Sequence, residues 1–227
     1  MRILVVNPNT NPATTRMMVE AARSALSTLD EEAVVTGVTA ASGPGMIVDP
    51  EALVAASRPT VLAALAGVEE HRPDAVLVAA FGDPGVRTLG DLLPVPVVGI
   101  GEAAVLAAAA SGRRFAVVTT TGLLAESLDE LVRRHCPEET DYAGLFLTDG
   151  DPVALAADPH RNVVALGGAV DDAVAAGCEV VVIGGGPLSD AARVLAERTD
   201  VQVIEPVPSA VALAVHRVSA AVTATIR

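Results

Sequence analysis

Short apolar runs alternate along this chain with longer segments whose apolar positions recur every three or four residues. Arg2–Val6, Glu32–Val38, Asp74–Ala80, Val95–Ile100, Arg114–Val118, Tyr142–Leu147, Cys178–Ile183 and Val201–Ile204 read as strands. Ala13–Thr28, Glu51–His71, Val86–Leu92, Glu102–Ser111, Leu123–Arg134, Asp158–Gly177, Leu188–Arg198 and Pro208–Ala224 read as helices. Runs of Val, Leu and Ile with little polar face suit strands covered on both sides. Helices between successive strands then make βαβ units and a mostly parallel sheet.

The order strand, polar loop, helix, strand, Gly/Pro loop, helix occurs twice. It predicts an α/β protein of two similar lobes. The first spans residues 1–95 and is joined by a closing helix within 207–227; the second spans residues 96–206, with the boundary at Pro94–Pro96. No stretch is long and polar enough to be a linker between independent domains.

Parallel α/β sheets place ligands at the carboxyl ends of their strands. Four strand ends here carry informative loops that can meet in one cleft. Asn7-Pro-Asn-Thr10 offers two amides and a hydroxyl, which suit a clamp for a small carboxylate or imide and equally suit turn and helix-cap duty. Thr119-Thr-Thr121 occupies the matching place in the second half. That mirroring favours ligand binding by Asn7, Asn9, Thr10, Thr119 and Thr120. Ala80-Phe-Gly-Asp-Pro-Gly85 and Gly184-Gly-Gly-Pro187 supply small residues where backbone can approach a ligand, with Ala80, Phe81, Gly82, Gly185 and Gly186 at the candidate wall. The glycine run has neither the Gly-x-Gly-x-x-Gly order nor the lysine of a phosphate loop. Asp83 is the one carboxylate within a site loop, and its place before Pro84 also suits a plain turn. Ser189 and Asp190 open the helix after the glycine run. Gly43-Pro-Gly45 reads as a rim, a lid or a turn.

Composition narrows the picture. The chain of 227 residues is 51% hydrophobic but only 2% aromatic, with no Trp, so its core must be built from Ala, Val and Leu. A net charge of −13 argues against a nucleic-acid partner, which needs clustered Lys and Arg. Cys136 and Cys178 form neither a disulfide framework nor zinc-type spacing. The four histidines fall at helix ends or in the last helix, away from the strand-end loops. The N-terminus reads as a first strand rather than a leader, and no apolar run of membrane-spanning length is free of a charge, Gly or Pro. These features predict a cytoplasmic protein without a membrane partner.

Asn7-Pro-Asn-Thr10, Gly43-Pro44, Ala80-Phe-Gly-Asp-Pro-Gly85, Pro96-Val-Val-Gly-Ile-Gly-Glu-Ala-Ala104 and Arg114-Phe-Ala-Val-Val-Thr-Thr120 together resemble the aspartate/glutamate/hydantoin racemase family, in order and over essentially the whole chain. The hydantoin and allantoin racemases are the most similar branch. The resemblance implies two similar Rossmann-like lobes with the site between them, no metal and no organic cofactor, and a homo-oligomer. It implies a small carboxylate or cyclic imide substrate, deprotonated next to its carbonyl by one cysteine thiolate and reprotonated from the opposite face by a second cysteine. In this chain Ala80 and Gly185 stand at those two positions. The oxygen-binding groups carry over; two-thiol racemisation does not. The resemblance with this departure implies a diverged lyase, decarboxylase, isomerase or cyclase, with Asp83, Ser189 and Asp190 nearest to replace the thiols. The alternatives are a racemase with unconventional bases and a non-catalytic metabolite-binding protein.

Overall fold

The computed structural model describes residues 1–137 and 139–225. Eight parallel strands form two four-stranded sheets. The first holds β1 (Arg2–Asn7), β2 (Val34–Thr39), β3 (Ala75–Val78) and β4 (Val97–Gly99), in the order β2-β1-β3-β4. The second holds β5 (Phe115–Thr119), β6 (Tyr142–Leu147), β7 (Val180–Ile183) and β8 (Gln202–Ile204), in the order β6-β5-β7-β8. The topologies are identical, as the pseudo-repeat in the sequence requires. In each sheet the first strand of the half sits beside the third, with Val6 level with Val78 and Val118 level with Ile183. The central strands are fully buried on both faces, which is why Ile3–Val6 and Val180–Ile183 read as unbroken apolar runs.

The helices α1 (Pro12–Thr28), α2 (Pro50–His71), α3 (Val86–Leu92), α4 (Ile100–Ala110), α5 (Ala125–His135), α6 (Pro152–Ala156), α7 (Pro159–Ala175), α8 (Ser189–Ala196) and α9 (Pro206–Thr225) cover the sheets. Four of them begin with one device. Asn11, Asp49, Asp151 and Asp158 each accept a backbone N–H from the first turn, and each is followed by Pro. The side chain satisfies an orphan amide, while Pro occupies a position whose N–H would go unused. α1 and α9 pack on one face of the first sheet through Met18, Ala22, Val207 and Val211, and α2 and α3 close the other through Ala64 and Leu89. α4 and α5 share one face of the second sheet, and α7 and α8 the other. α2 has the length and mean hydropathy, 1.3, of a membrane span, and 22% of that stretch is buried in the fold, through Ala56, Thr60, Ala64 and Gly67.

Two expectations change. β4 pairs with β3 in the first sheet, so that sheet runs past the boundary expected at residue 95. Pro94 and Pro96 punctuate the entry to an edge strand, where proline is tolerated, rather than a change of lobe. The short helix α6 was not predicted. α9 packs on the first sheet through Val207, Ala210, Val211 and Ala214; Ile226 and Arg227, the end of the 207–227 segment, lie outside the described residues.

Candidate functional site

A cavity of about 50 Å³ lies where four strand ends converge. Asn9 comes from the loop after β1, Ala79–Phe81 from the loop after β3, Thr120 and Thr121 from the loop after β5, and Gly184–Leu188 from the loop after β7. Met46 and Ile47 of the 41–49 loop and Leu124 complete its lining. The loop is tied down by Thr10, whose N–H donates to the Pro44 carbonyl at 3.1 Å. The volume holds a water or two, against about 300–1,000 Å³ for ligand pockets in general. A ring-sized ligand needs more room than this volume gives. The lobes meet tightly here, since a Cβ at Gly186 would sit 3.0 Å from the Ala79 carbonyl and 2.9 Å from Met18 Sδ.

The polar loops divide their labour. Asn7, the last residue of β1, is fully buried. Its Nδ2 donates to Asn9 Oδ1 (2.9 Å), the Asn11 carbonyl (2.9 Å) and Thr15 Oγ1 (3.0 Å), and its Oδ1 accepts from Asn9 N–H. It is absent from the cavity wall. Asn9 Oδ1 also accepts from Asn11 N–H at 2.9 Å. Two donors on one oxygen fix the amide's orientation and leave Asn9 Nδ2 as the group available to a ligand. Thr119, the last residue of β5, repeats the role of Asn7: it is fully buried and donates to the Gly184 carbonyl at 2.9 Å, holding the glycine loop. The next residues, Thr120 and Thr121, line the cavity.

Of the residues expected at the site, the structure brings Asn9, Ala80, Phe81, Thr120, Gly185 and Gly186 onto one wall. Asn7, Thr10, Gly82 and Thr119 stand behind it. Asp83 and Ser189, expected as candidate acid–base groups, do not line the cavity. Asp83 lies in the left-handed region (φ 51°) and turns its carboxylate onto the start of α4, where Gly101 N–H (2.9 Å) and Glu102 N–H (2.7 Å) donate to its two oxygens. Gly99 has no side-chain cap to offer that helix, and its missing Cβ leaves the seat that the Asp83 carboxylate fills. Burial pushes the Asp83 carboxyl up to about 7, against the opposing pull of the Glu102 and Gly101 amides. Ser189 donates its hydroxyl to the Gly186 carbonyl at 2.9 Å and lies off the wall, and Asp190 pairs with Arg193. The two thiols are remote: Cys178 is buried just ahead of β7, Cys136 caps the end of α5, and burial pushes both thiols up, away from thiolate.

No described lining residue carries an ionisable side chain. What the wall offers is Asn9 Nδ2, the Thr120 hydroxyl and glycine-loop backbone, set among Met, Ile, Phe and Leu, since the Thr121 hydroxyl donates to Thr119 Oγ1. Sequence reasoning missed Met46, Ile47, Leu124 and Leu188, which are apolar residues indistinguishable by pattern from core. The Gly43-Pro-Gly45 rim was the available signal for the first two.

Two parallel sheets of one topology, with a cavity lined by four strand-end loops, define a two-lobed α/β protein. Residues 3–214 match the Asp/Glu/Hydantoin racemase family, and the chain belongs to that family. It is similar to the hydantoin racemase of Paenarthrobacter aurescens, 30% identical over 211 residues covering 92% of this chain and 88% of that protein. It is also similar to the hydantoin racemase of Rhizobium meliloti, 32% identical over 220 residues covering 94% and 87%. The solved allantoin racemase from Klebsiella pneumoniae superposes with a TM-score of 0.86 at 27% identity, covering 97% of this chain and 89% of that one.

Proposed function

We propose that this chain is a racemase-family enzyme for a neutral, hydantoin-like ring, working at the carbon next to a ring carbonyl without thiol acid–base chemistry. The observation that carries the proposal is the cavity wall itself. It holds no cation to pair a free carboxylate, which favours a cyclic imide over an amino acid or a diacid. Its remaining donors suit a carbonyl oxygen that gains negative charge. Asn9 Nδ2 and the Thr120 hydroxyl would meet that oxygen, and preorganised donors are an effective way to lower such a barrier. With Ala80 and Gly185 at the two proton-transfer positions, a lyase, decarboxylase, isomerase or cyclase reaction is favoured over two-thiol racemisation. The reading carries with it a cofactor-independent, cytoplasmic homo-oligomer with no nucleic-acid partner.

The test is incubation with hydantoin, 5-substituted hydantoins and allantoin in deuterated water, followed by NMR. Substrate loss without deuterium at the ring carbon is the expected result. Deuterium incorporation with the ring retained would overturn this reaction class and select a racemase with unconventional bases. The Ala80→Cys/Gly185→Cys variant is expected to gain exchange. The same uncharged wall supports a second reading, a metabolite-binding protein, which is selected if ring compounds bind and none is converted.

A further inference from the structure

One stripe of α2 packs into the fold, and a second stripe does not. The buried positions are Ala56, Thr60, Ala64 and Gly67, and Gly67 meets Leu4 and Val38 of the first sheet. On the opposite side of the helix, Glu51, Ala55, Arg58, Leu62, Leu65 and Glu69 are all exposed. They recur at alternating intervals of four and three residues, which is the 3.5-residue repeat of a helix that pairs with another helix. Leu62 is 56% exposed and Leu65 37%. Packing on one sheet accounts for one stripe only. Arg58, Glu51 and Glu69 form no ion pair among the described residues.

We infer that this stripe is the pairing surface for a second copy of the chain, with the two α2 helices antiparallel about a two-fold axis passing between residues 63 and 64. Leu62 then faces Leu65 of the partner subunit, and Arg58 faces Glu69 of the partner subunit. The two-fold axis repeats each contact, so the seam holds a leucine centre flanked on both sides by an ion pair. Charge selects this register. Parallel in-register pairing sets Arg58 against its own copy and Glu69 against its own copy. Antiparallel pairing displaced by one heptad sets Glu51 against Glu69. Like charges across a contact oppose association. A lipid surface is the other apolar occupant that such a helix fits. The glutamates of the stripe and the net charge of −13 work against an anionic bilayer. No residue of the stripe lines the cavity, so the pairing is independent of the ring chemistry.

Sedimentation equilibrium of the whole chain over about 1–100 μM tests this, a range suited to a small interface. Every substituted side chain is exposed, so the circular dichroism of the variants should match wild type. Wild type is expected to dimerise within that range. Arg58→Glu is expected to weaken pairing about tenfold, because symmetry counts each lost ion pair and each new like-charge contact twice. Glu69→Arg should do the same, and Arg58→Glu/Glu69→Arg should return the affinity to within about threefold of wild type. Leu62→Glu should leave a monomer. Orientation is read by oxidation in a Cys136→Ser/Cys178→Ser background. A Leu62→Cys chain mixed with a Leu65→Cys chain should crosslink to each other in preference to themselves. A chain that stays monomeric throughout the range would overturn the pairing. An oligomer that neither Arg58→Glu nor Leu62→Glu weakens would overturn it too, by placing the contact on another face. So would a monomer that cosediments with phosphatidylglycerol vesicles and is released by Leu62→Glu, which gives the stripe to a bilayer.

Discussion

The seating of Asp83 against Gly99 gives a sharp test, because it separates a helix cap from a catalytic acid. Asp83→Ala removes the acceptor of two amides at the start of α4, Gly101 at 2.9 Å and Glu102 at 2.7 Å, and no other side chain caps that helix. Each amide left without a partner costs about 1–3 kcal/mol, so a loss of about 3 kcal/mol is expected at pH 5. Gly99→Ala should do similar damage by a different route. A Cβ there overlaps the Asp83 carboxylate and must expel it, although the backbone at Gly99 (φ −82°, ψ 141°) suits alanine. If both substitutions act through the one contact, the Gly99→Ala penalty should nearly vanish in the Asp83→Ala background, with a coupling of about 2 kcal/mol. Urea unfolding of wild type, both single variants and the double variant measures that coupling. Additivity within about 0.5 kcal/mol would refute the account. So would an Asp83→Ala protein of unchanged stability that binds the ring but has lost turnover, since that result would put Asp83 back among the reacting groups.

The same carboxyl gives a pH prediction. Its native value of about 7 lies above the ordinary carboxylate range near 3.9, so between those values the native state holds more protons than the unfolded one, and stability falls as pH rises. The contribution is full below about pH 4 and lost through pH 7, up to about 4 kcal/mol; urea midpoints at pH 5 and 8 should show the slope in wild type and not in Asp83→Ala. Thr119→Val removes the 2.9 Å bond to the Gly184 carbonyl and should cost about 1–2 kcal/mol, while weakening ring binding through a loosened glycine loop, read by urea unfolding and calorimetry. Replacing both Cys136 and Cys178 by Ser should leave substrate conversion within about twofold of wild type, because neither thiol reaches the cavity; a large loss would implicate a thiol.

Most of the fold could be read directly from the chain, because its strands are covered on both faces and its helices start at strong stops. Ile3–Val6 and Val180–Ile183 have no polar face to blur the pattern. The missed helix α6 is only Pro152–Ala156, too short for periodicity to register; its one signal was Asp151-Pro152, the same pair that opens α2 at Asp49-Pro50 and α7 at Asp158-Pro159. The site was legible as loops but not as side chains. Composition cannot show that Asn7 and Thr119 turn inward to brace their own lobes while Asn9 and Thr120 face outward. That depends on which residue ends the hydrogen-bonded strand, and strand ends are the least certain feature of a sequence pattern. The seat of Asp83 was hidden for another reason: its partners lie 18 and 19 residues ahead, and nothing local announces the place at Gly99.

The two halves show how one scaffold can keep its site geometry while its chemistry changes. Asn7 and Thr119 differ in type, yet each sits at the end of the first strand of its half, fully buried, and spends its polar atoms on neighbouring backbone and side chains rather than on the cavity. The bracing is therefore independent of what stands at positions 80 and 185, which follow the third strand of each half. Gly185 also carries a constraint of its own: a Cβ there would come within 2.9 Å of Leu188 Cδ1 and 3.0 Å of its Cγ. A side chain at 185 requires Leu188 to shift, a repacking that costs about 1–3 kcal/mol when the surroundings resist. Leu188 in turn lines the cavity and packs with Val118, Ile183 and Leu195. The absence of a thiol at 185 is thus matched by an apolar side chain that has closed over its place. The Ala80→Cys/Gly185→Cys variant that regains exchange is therefore expected to be less stable than Ala80→Cys alone by about 1–3 kcal/mol, read by urea unfolding, and an unchanged midpoint would refute the overlap.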